Sequence, residues 1–453
     1  MKNNINQMIL KNHSDSKSLL NNDYLSNDGN GVSVIISSPN SDMSISECSD
    51  QKELIIPEIY DENDNQNTFD YGLSLNLIKS VMGMGILGIT YTFRQSGYFY
   101  VFIMFIISII TGYNAVNVGK FVSEFTQLEK YKNKHLTYFN ISDEIFGSKM
   151  KMFTQAIWSL EIISCCILII NLSLSFLNQL FGLKDNFYLL CPVIIFFYLV
   201  TFIKKYDNLK FLSIIGLTSI FTLFCFLFYT LICDLVHDGL PNVERIPFNY
   251  KNIPESISVT LFSFGGHVIF PEIFSSTKNK LGLKKNIIIT WTLFTIFVNC
   301  FISVGFFIFG DSISENIIDN LGQSYWFKKI ITFLLLLNVI FTFPLMFTPL
   351  NLRIILNIDS LNINSTLKMI LSKYLVRLCL IIVICMIGSY WNSFLSIMSL
   401  VGGLFENTTS IILPSMFALK HLKLNLFEKT INVLILELGI ILLFFTLYLN
   451  FFP

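Results

Sequence analysis

Long runs of apolar residues, separated by short polar segments, follow one another from residue 71 to the end of the chain. Each run is close to the ~20 residues that a helix needs to cross the hydrocarbon core of a bilayer. The pattern predicts an all-α polytopic membrane protein with eleven transmembrane helices. We place them at approximately 73–93, 98–121, 152–176, 187–203, 211–234, 256–275, 286–309, 330–350, 374–391, 394–419 and 430–450.

The segment before residue 71 has a different composition, dominated by Asn, Ser and Asp and without sustained periodicity. Such a segment cannot bury enough apolar surface to fold by itself. It also lacks a basic stretch followed by an apolar run, so we expect no cleavable signal peptide. The chain is therefore predicted to comprise a disordered tail, 1–70, and a transmembrane domain, 71–453.

Two of the predicted spans, the first and the sixth, are interrupted by glycines about ten residues from their start. The first carries Gly83-Met84-Gly85 and the sixth carries Gly265-Gly266. Glycine permits a non-helical backbone, whose N–H and C=O groups are tolerated at membrane depth only beside protein or a polar cavity. A matched pair of interrupted spans is typical of the substrate site of a secondary transporter. The alternative is that these glycines only allow helices to pack closely.

In a transporter of this kind, the free N–H groups at the start of the second half-helix favour a substrate carboxylate. The mirrored break would supply carbonyl or amide groups to the other end of a small zwitterion. The substrate-binding candidates are Ser80, Gly83, Met84, Gly85, Ser263, Phe264, Gly265 and Gly266.

The composition is that of a membrane protein: 53% of residues are apolar or aromatic, 14% are charged, and mean hydropathy is +0.60. The formal net charge is zero, which gives no indication of a nucleic-acid partner. The nine cysteines show no Cys-x-x-Cys spacing, and we expect neither a metal site nor another cofactor. The soluble segments contain no nucleophile–base pair or phosphate-binding loop, so an enzyme is not predicted.

Lysine and arginine residues in the loops predict the orientation. With the N-terminal tail in the cytosol, eighteen of them lie in cytosolic loops and six on the opposite side. The tail is therefore predicted to be cytosolic, and the C-terminus to be lumenal or extracellular.

Ionisable residues within spans are costly and usually functional or paired. We expect Lys79 to pair with a carboxylate. His267 follows the second break directly, so it either relays a proton or is a neutral ring that donates one hydrogen bond. The ionisable residues within predicted spans are Lys79, Glu161, His267, Glu272, Glu406 and Glu437.

Several stretches resemble the amino acid/auxin permease family. Residues 76–97, NLIKSVMGMGILGITYTFRQSG, are similar to its first span, and residues 263–276, SFGGHVIFPEIFSS, to its sixth. Residues 137–147, 305–321 and 341–344 agree with further family segments in the same order. The resemblance implies two inverted five-helix repeats, with helices 1 and 6 broken, and a peripheral helix 11. It also implies amino acid substrates, moved by alternating access and driven by an ion gradient.

Within that family, Gly265-Gly266-His267 followed by Phe270-Pro271 most resembles the vacuolar and vesicular branch, which is typically proton-driven. Asn76 and Thr342 match positions that help form a cation site in sodium-coupled members. The resemblance thus makes Asn76, Thr342 and His267 the candidates for ion coupling, with H⁺ favoured and Na⁺ as the alternative.

Two short segments of the tail resemble acidic dileucine sorting signals. Asp15 precedes the pair Leu19-Leu20 by four residues, and Asp50 precedes Leu54-Ile55 in the same way. They indicate sorting adaptors as partners and a vacuolar, lysosomal or other acidic membrane. The leading hypothesis is a proton-coupled transporter of neutral amino acids. Its alternatives are a sodium-coupled carrier of the plasma membrane and a receptor that binds amino acids without transporting them.

Overall fold

The computed structural model describes residues 69–451, apart from 83, 132–135, 183–186, 203–206, 238–246, 278–281, 322–324, 360–365 and 392. The tail with its two sorting pairs, and Gly83 of the predicted substrate site, lie outside the described residues. Every described element is helical. We number the α-helices α1 Tyr71–Met82, α2 Gly85–Ile89, α3 Tyr91–Ser96, α4 Tyr100–Phe125, α5 Tyr138–Phe146, α6 Ser148–Phe181, α7 Phe187–Val200, α8 Asp207–His237, α9 Ile253–Ser263, α10 Phe270–Ser275, α11 Leu283–Phe309, α12 Tyr325–Asp359, α13 Thr366–Tyr390, α14 Phe394–Leu400, α15 Leu413–His421 and α16 Leu426–Phe451.

The prediction of an all-α polytopic membrane protein is confirmed. Among the described residues, nine helices are long and apolar enough to cross a membrane, and ten if the bent helix at the start is included. All eleven predicted segments coincide with helical segments. The fourth, α7, is described over 14 residues, fewer than the ~20 that cross a bilayer.

The first span is broken where the glycines predict. Helix α1 ends at Met82, and a new helical segment begins at Gly85 and runs on through α3 to Ser96. The axes of the two parts are inclined at 47°. Gly97, with a φ of 84°, ends this span, and α4 follows at once. The break therefore lies in the middle of the span.

The sixth span is broken in the same way. Helix α9 ends at Ser263, and residues 264–266 are not helical. Gly266 has a φ of 94°, a left-handed conformation that favours glycine. A 3₁₀ turn, His267–Ile269, then leads into α10, where Pro271 occupies a first-turn position that needs no N–H donor.

The tenth span is helical throughout but has unusually wide turns in its middle. Between α14 and α15, the segments Val401–Glu406 and Thr408–Ile412 are π-helical, a rare form that is frequent at functional sites. Side chains of neighbouring helices bond to its carbonyl groups. Tyr138 Oη donates to Thr409 O at 2.6 Å, and Asn114 Nδ2 donates to Ser410 O at 2.8 Å. These contacts hold α4 and α5 against the widened segment.

Polar contacts join the two broken spans at both of their ends. At one end, Thr277 Oγ1 donates to Asp70 Oδ2 at 2.5 Å. At the other, Gln95 Nε2 donates to Glu255 Oε2 and Ser96 Oγ to the hydroxyl of Ser256, both at 2.8 Å. The two broken spans therefore run side by side in opposite directions.

Candidate functional site

The two breaks lie directly against each other. Ser263 Oγ, at the end of α9, donates to the carbonyl oxygen of Gly85 at 3.1 Å. A Cβ atom added at Gly85 would lie 2.5 Å from Ser263 Cα, and one added at Gly266 would lie 3.3 Å from Ser80 O. The backbones are therefore in van der Waals contact, and a substrate can bind between them only when they move apart.

The described members of the predicted substrate set are collected around this contact. Met84 and Ser80 are at most 5% exposed, and the hydroxyl of Ser80 donates to Leu77 O within its own helix. Phe264 is fully buried, with its ring against that of Phe294 at 5.3 Å between centroids. The structure thus brings together Ser80, Met84, Gly85, Ser263, Phe264, Gly265 and Gly266.

A protein carboxylate occupies the break of the sixth span. The backbone N–H of Gly266 donates to Glu406 Oε1 at 2.8 Å, and Glu406 is 2% exposed. A Cβ atom at Gly265 would overlap the carboxyl group of Glu406. Gly265 therefore leaves the space that this carboxyl group fills, and the π-helical turn that ends at Glu406 presents it there.

A second buried glutamate, Glu161 of α6, lies near Glu406. The hydroxyl of Thr409 joins the two residues, because it bonds to the backbone carbonyl of Glu406 at 3.5 Å as well as to Glu161. Glu161 is fully buried, and its Oε1 accepts a hydrogen bond from Thr409 Oγ1 at 3.1 Å. Oε2 of each glutamate has no donor from any other described group. A proton held between the two carboxyl groups would satisfy these oxygens, since neighbouring buried carboxyl groups disfavour being ionised together.

Both glutamates are among the ionisable residues within the predicted spans, but neither is among the predicted site residues. The available signal was the high cost of a carboxyl group at membrane depth. The missing information was the packing of α6 against the tenth span, which no local pattern of residues contains.

The ring of His267 lies beside the break and is fully buried. Its Nε2 bonds to the carbonyl oxygen of Thr111 at 2.9 Å, and its centroid lies 4.5 Å from that of Phe270 and 5.7 Å from that of Trp291. A carbonyl oxygen only accepts, so Nε2 carries a hydrogen, and Nδ1 has no partner among the described groups. This geometry favours the alternative of a neutral ring with one hydrogen bond.

The candidates for a cation site lie between α1 and α12. Thr342 Oγ1 donates to Asn338 O at 2.8 Å, and the amino group of Lys79 donates to the same carbonyl at 3.0 Å and to Asn338 Oδ1. Asn76 is half-buried three residues before Lys79. The expectation that Lys79 pairs with a carboxylate is wrong for the residues described, because its partners are amide oxygens.

The fold and this site define a class of protein. The fold is similar to that of Mhp1, a nucleobase–cation symport-1 family transporter solved in a closed conformation with bromovinylhydantoin bound. The TM-score is 0.50 at 9% sequence identity, over 83% of this chain and 90% of that one. A helical membrane protein with two broken spans in contact at mid-length has the architecture of a secondary transporter.

The chain belongs to the transmembrane amino acid transporter protein family, whose model matches residues 72–452. It is 23% identical to amino acid transporter AVT1H of Arabidopsis thaliana, over 82% of this chain and 86% of that protein. It is 24% identical to vacuolar amino acid transporter 7 of Saccharomyces cerevisiae, over 62% of this chain and 57% of that one. The family resemblance is confirmed: the protein is an amino acid transporter of the membrane and not an enzyme.

The surroundings of His267 give a prediction for its replacement. We expect His267→Gln to leave the shape of the pH profile of transport unchanged, because a glutamine amide keeps the bond to Thr111 O and the buried ring is neutral. Loss of the contacts with Phe270 and Trp291 should lower the free energy of unfolding by about 0.5–1.5 kcal/mol. Uptake measured across a pH series tests this. A flattened profile would instead identify His267 as the group that titrates.

Proposed function

We propose that this transporter moves neutral amino acids by alternating access, in symport or antiport with protons. The observation that carries the proposal is the presence of two neighbouring buried carboxyl groups, Glu161 and Glu406, of which Glu406 accepts a hydrogen bond from the backbone of the broken sixth span. Ionisable residues at this depth are costly and commonly mark proton pathways.

The geometry links the proton to movement of the span. Glu406 accepts a hydrogen bond from Gly266 N–H. Any motion that separates the broken sixth span from Glu406 therefore removes this bond and changes the surroundings of the carboxyl group. A group whose surroundings differ between two conformations binds its proton with different affinity in each, and the proton then biases the equilibrium between them.

The amino acid is proposed to bind at the contact of the two breaks, with its carboxylate on the backbone N–H groups at the start of α2. A helix start attracts anions. Gly85 and Ser263 touch at present, so entry of the substrate requires α2 and α9 to separate. Two inverted five-helix repeats, with α16 at the periphery, would provide this motion by rocking one bundle against the other.

The proposed location is a vacuolar, lysosomal or similar acidic membrane, with the N-terminus in the cytosol. Support comes from the excess of lysine and arginine in the loops assigned to the cytosol, and from the yeast relative, whose name places it in the vacuole. A pH gradient across such a membrane provides the proposed driving force.

Purified protein in liposomes tests the coupling. We expect uptake of labelled neutral amino acids to follow an imposed pH gradient and to be unaffected when choline replaces sodium. Uptake that follows a sodium gradient instead would establish the sodium-coupled alternative, for which Asn76 and Thr342 are the candidate cation ligands. Saturable binding of an amino acid without uptake under either gradient would establish the receptor.

The sorting pairs allow a separate test in cells. Replacing Leu19-Leu20 and Leu54-Ile55 by alanines should move the transporter to the cell surface, because adaptors read an aliphatic pair that follows an acidic residue. The measurement is the fraction labelled by a membrane-impermeant biotin reagent. Ile9-Leu10 is a matched control, since the residue four positions before it is not acidic. An unchanged surface fraction in the quadruple variant would remove both pairs as signals.

A further inference from the structure

Lys79 is the most deeply buried lysine among the described residues, with 1% of its surface exposed. It lies in α1, one turn before the break of the first span. Among the described residues, no carboxylate forms an ion pair with it, and both of its hydrogen bonds go to Asn338. A buried amino group without an acidic partner is expensive to retain, so its position needs an explanation.

The amino group lies among oxygen atoms. Asn338 contributes its carbonyl oxygen and Oδ1, and the hydroxyl of Thr342 bonds to the same carbonyl. From α8, Gly216 contributes space, because a Cβ atom there would overlap Lys79 Nζ. Three helices, α1, α8 and α12, therefore enclose a small oxygen-lined volume that the end of one side chain fills.

In transporters of this architecture, backbone carbonyls and the carboxyl ends of half-helices hold the coupling cation. Here the carboxyl end of the half-helix α1 faces carbonyl, amide and hydroxyl oxygens of the continuous helix α12. Hard cations favour this set of carbonyl and hydroxyl oxygens. The Lys79 amino group donates to the two oxygens of Asn338 and holds α1 against α12, as a bound metal ion would.

We propose that Lys79 is a tethered cation: its ammonium group occupies an alkali-cation site between α1 and α12, and removing it creates a site for sodium. The inference deepens the proposed function, since a transporter that carries this cation in its own chain needs no sodium from solution and leaves coupling to the Glu161–Glu406 pair.

The test measures thermal unfolding of the purified transporter in sodium chloride and in choline chloride. For the unaltered protein we expect the same melting temperature in both salts. Lys79→Ala and Lys79→Ser vacate the oxygen-lined volume, and sodium should raise their melting temperatures by about 2–4 °C, as expected for a ligand that binds only the folded state. Lys79→Met should show no sodium effect, because its apolar side chain fills the same volume.

Lys120→Ala is the matched control, since Lys120 lies on α4 and bonds to Asn117 away from this volume. A sodium effect on the unaltered protein would overturn the proposal. The proposal would also be overturned if sodium had no effect on either Lys79→Ala or Lys79→Ser, or if neither variant folded in either salt, since sodium must be able to replace the ammonium group. Unfolding is measured without substrate or pH gradient, so its outcome is independent of the uptake experiment.

Discussion

Replacing Glu406 by glutamine should abolish the response of transport to a pH gradient. The amide keeps an oxygen that accepts from Gly266 N–H, so the break stays closed in the same way, but the group bonded to the break no longer binds or releases a proton. The factor by which an imposed pH gradient raises uptake should fall by about 5- to 150-fold, the range of typical coupling free energies. Exchange of labelled for unlabelled amino acid at equal pH should continue.

Glu437→Gln is the matched control for this variant. Glu437 is also a glutamate within a span, but its side chain is exposed on α16, so its replacement should leave the pH response intact. Glu161→Gln should have the same effect as Glu406→Gln, because either change removes one of the two carboxyl groups between which the proton is held. A full pH response in both pair variants would contradict proton coupling at this site.

Gly85→Ala should abolish transport through a steric effect alone. The added Cβ atom would lie 2.5 Å from Ser263 Cα, a distance that only movement of one backbone can relieve. The two breaks would then be misplaced by roughly 1 Å, a displacement that can reduce rates by about 100-fold. Overpacking of this kind should also lower the free energy of unfolding by about 1–3 kcal/mol. Initial uptake rates and thermal unfolding measure the two effects.

Gly119→Ala is the matched control, because it replaces a glycine of another span that does not lie at the contact between the breaks. Its Cβ atom would meet only the tip of the flexible Ile287 side chain, at 2.7 Å, which a change of rotamer relieves. We expect near-normal uptake. Equal losses in the two variants would show that the contact between the breaks is not the cause.

The features that follow from local pattern were predictable. Apolar runs of span length mark the helices because the bilayer requires every backbone group to be satisfied within the segment. The glycines at 85 and 265–266 mark the breaks because a Cβ atom at Gly85 or Gly265 would overlap Ser263 or the carboxyl group of Glu406, and because Gly266 has a positive φ. The contact between the two breaks was also predictable from the sequence, since interrupted spans in corresponding positions form one site.

The chemistry between spans was not predictable, because it depends on the angle at which helices face one another. Glu161 and Glu406 are 245 residues apart, and only the packing of α6 makes them partners. The amide partner of Lys79, on α12, was missed for the same reason. The π-helical turns around Glu406 have no periodic signature of their own, although Gly402 and Gly403 are compatible with the close approach of neighbouring backbone and side chains there.

The donor that holds Glu406 belongs to the main chain, and this affects what mutagenesis can detect. An alanine scan deletes side chains, so it will register Glu406 and leave the N–H of Gly266 in place. Only proline removes that N–H, and its fixed negative φ is incompatible with the 94° found there. An alanine scan of the sixth span will therefore underestimate the contribution of this span to the proton site. Replacing the Gly266 amide by an ester linkage removes the N–H group itself and measures that contribution directly.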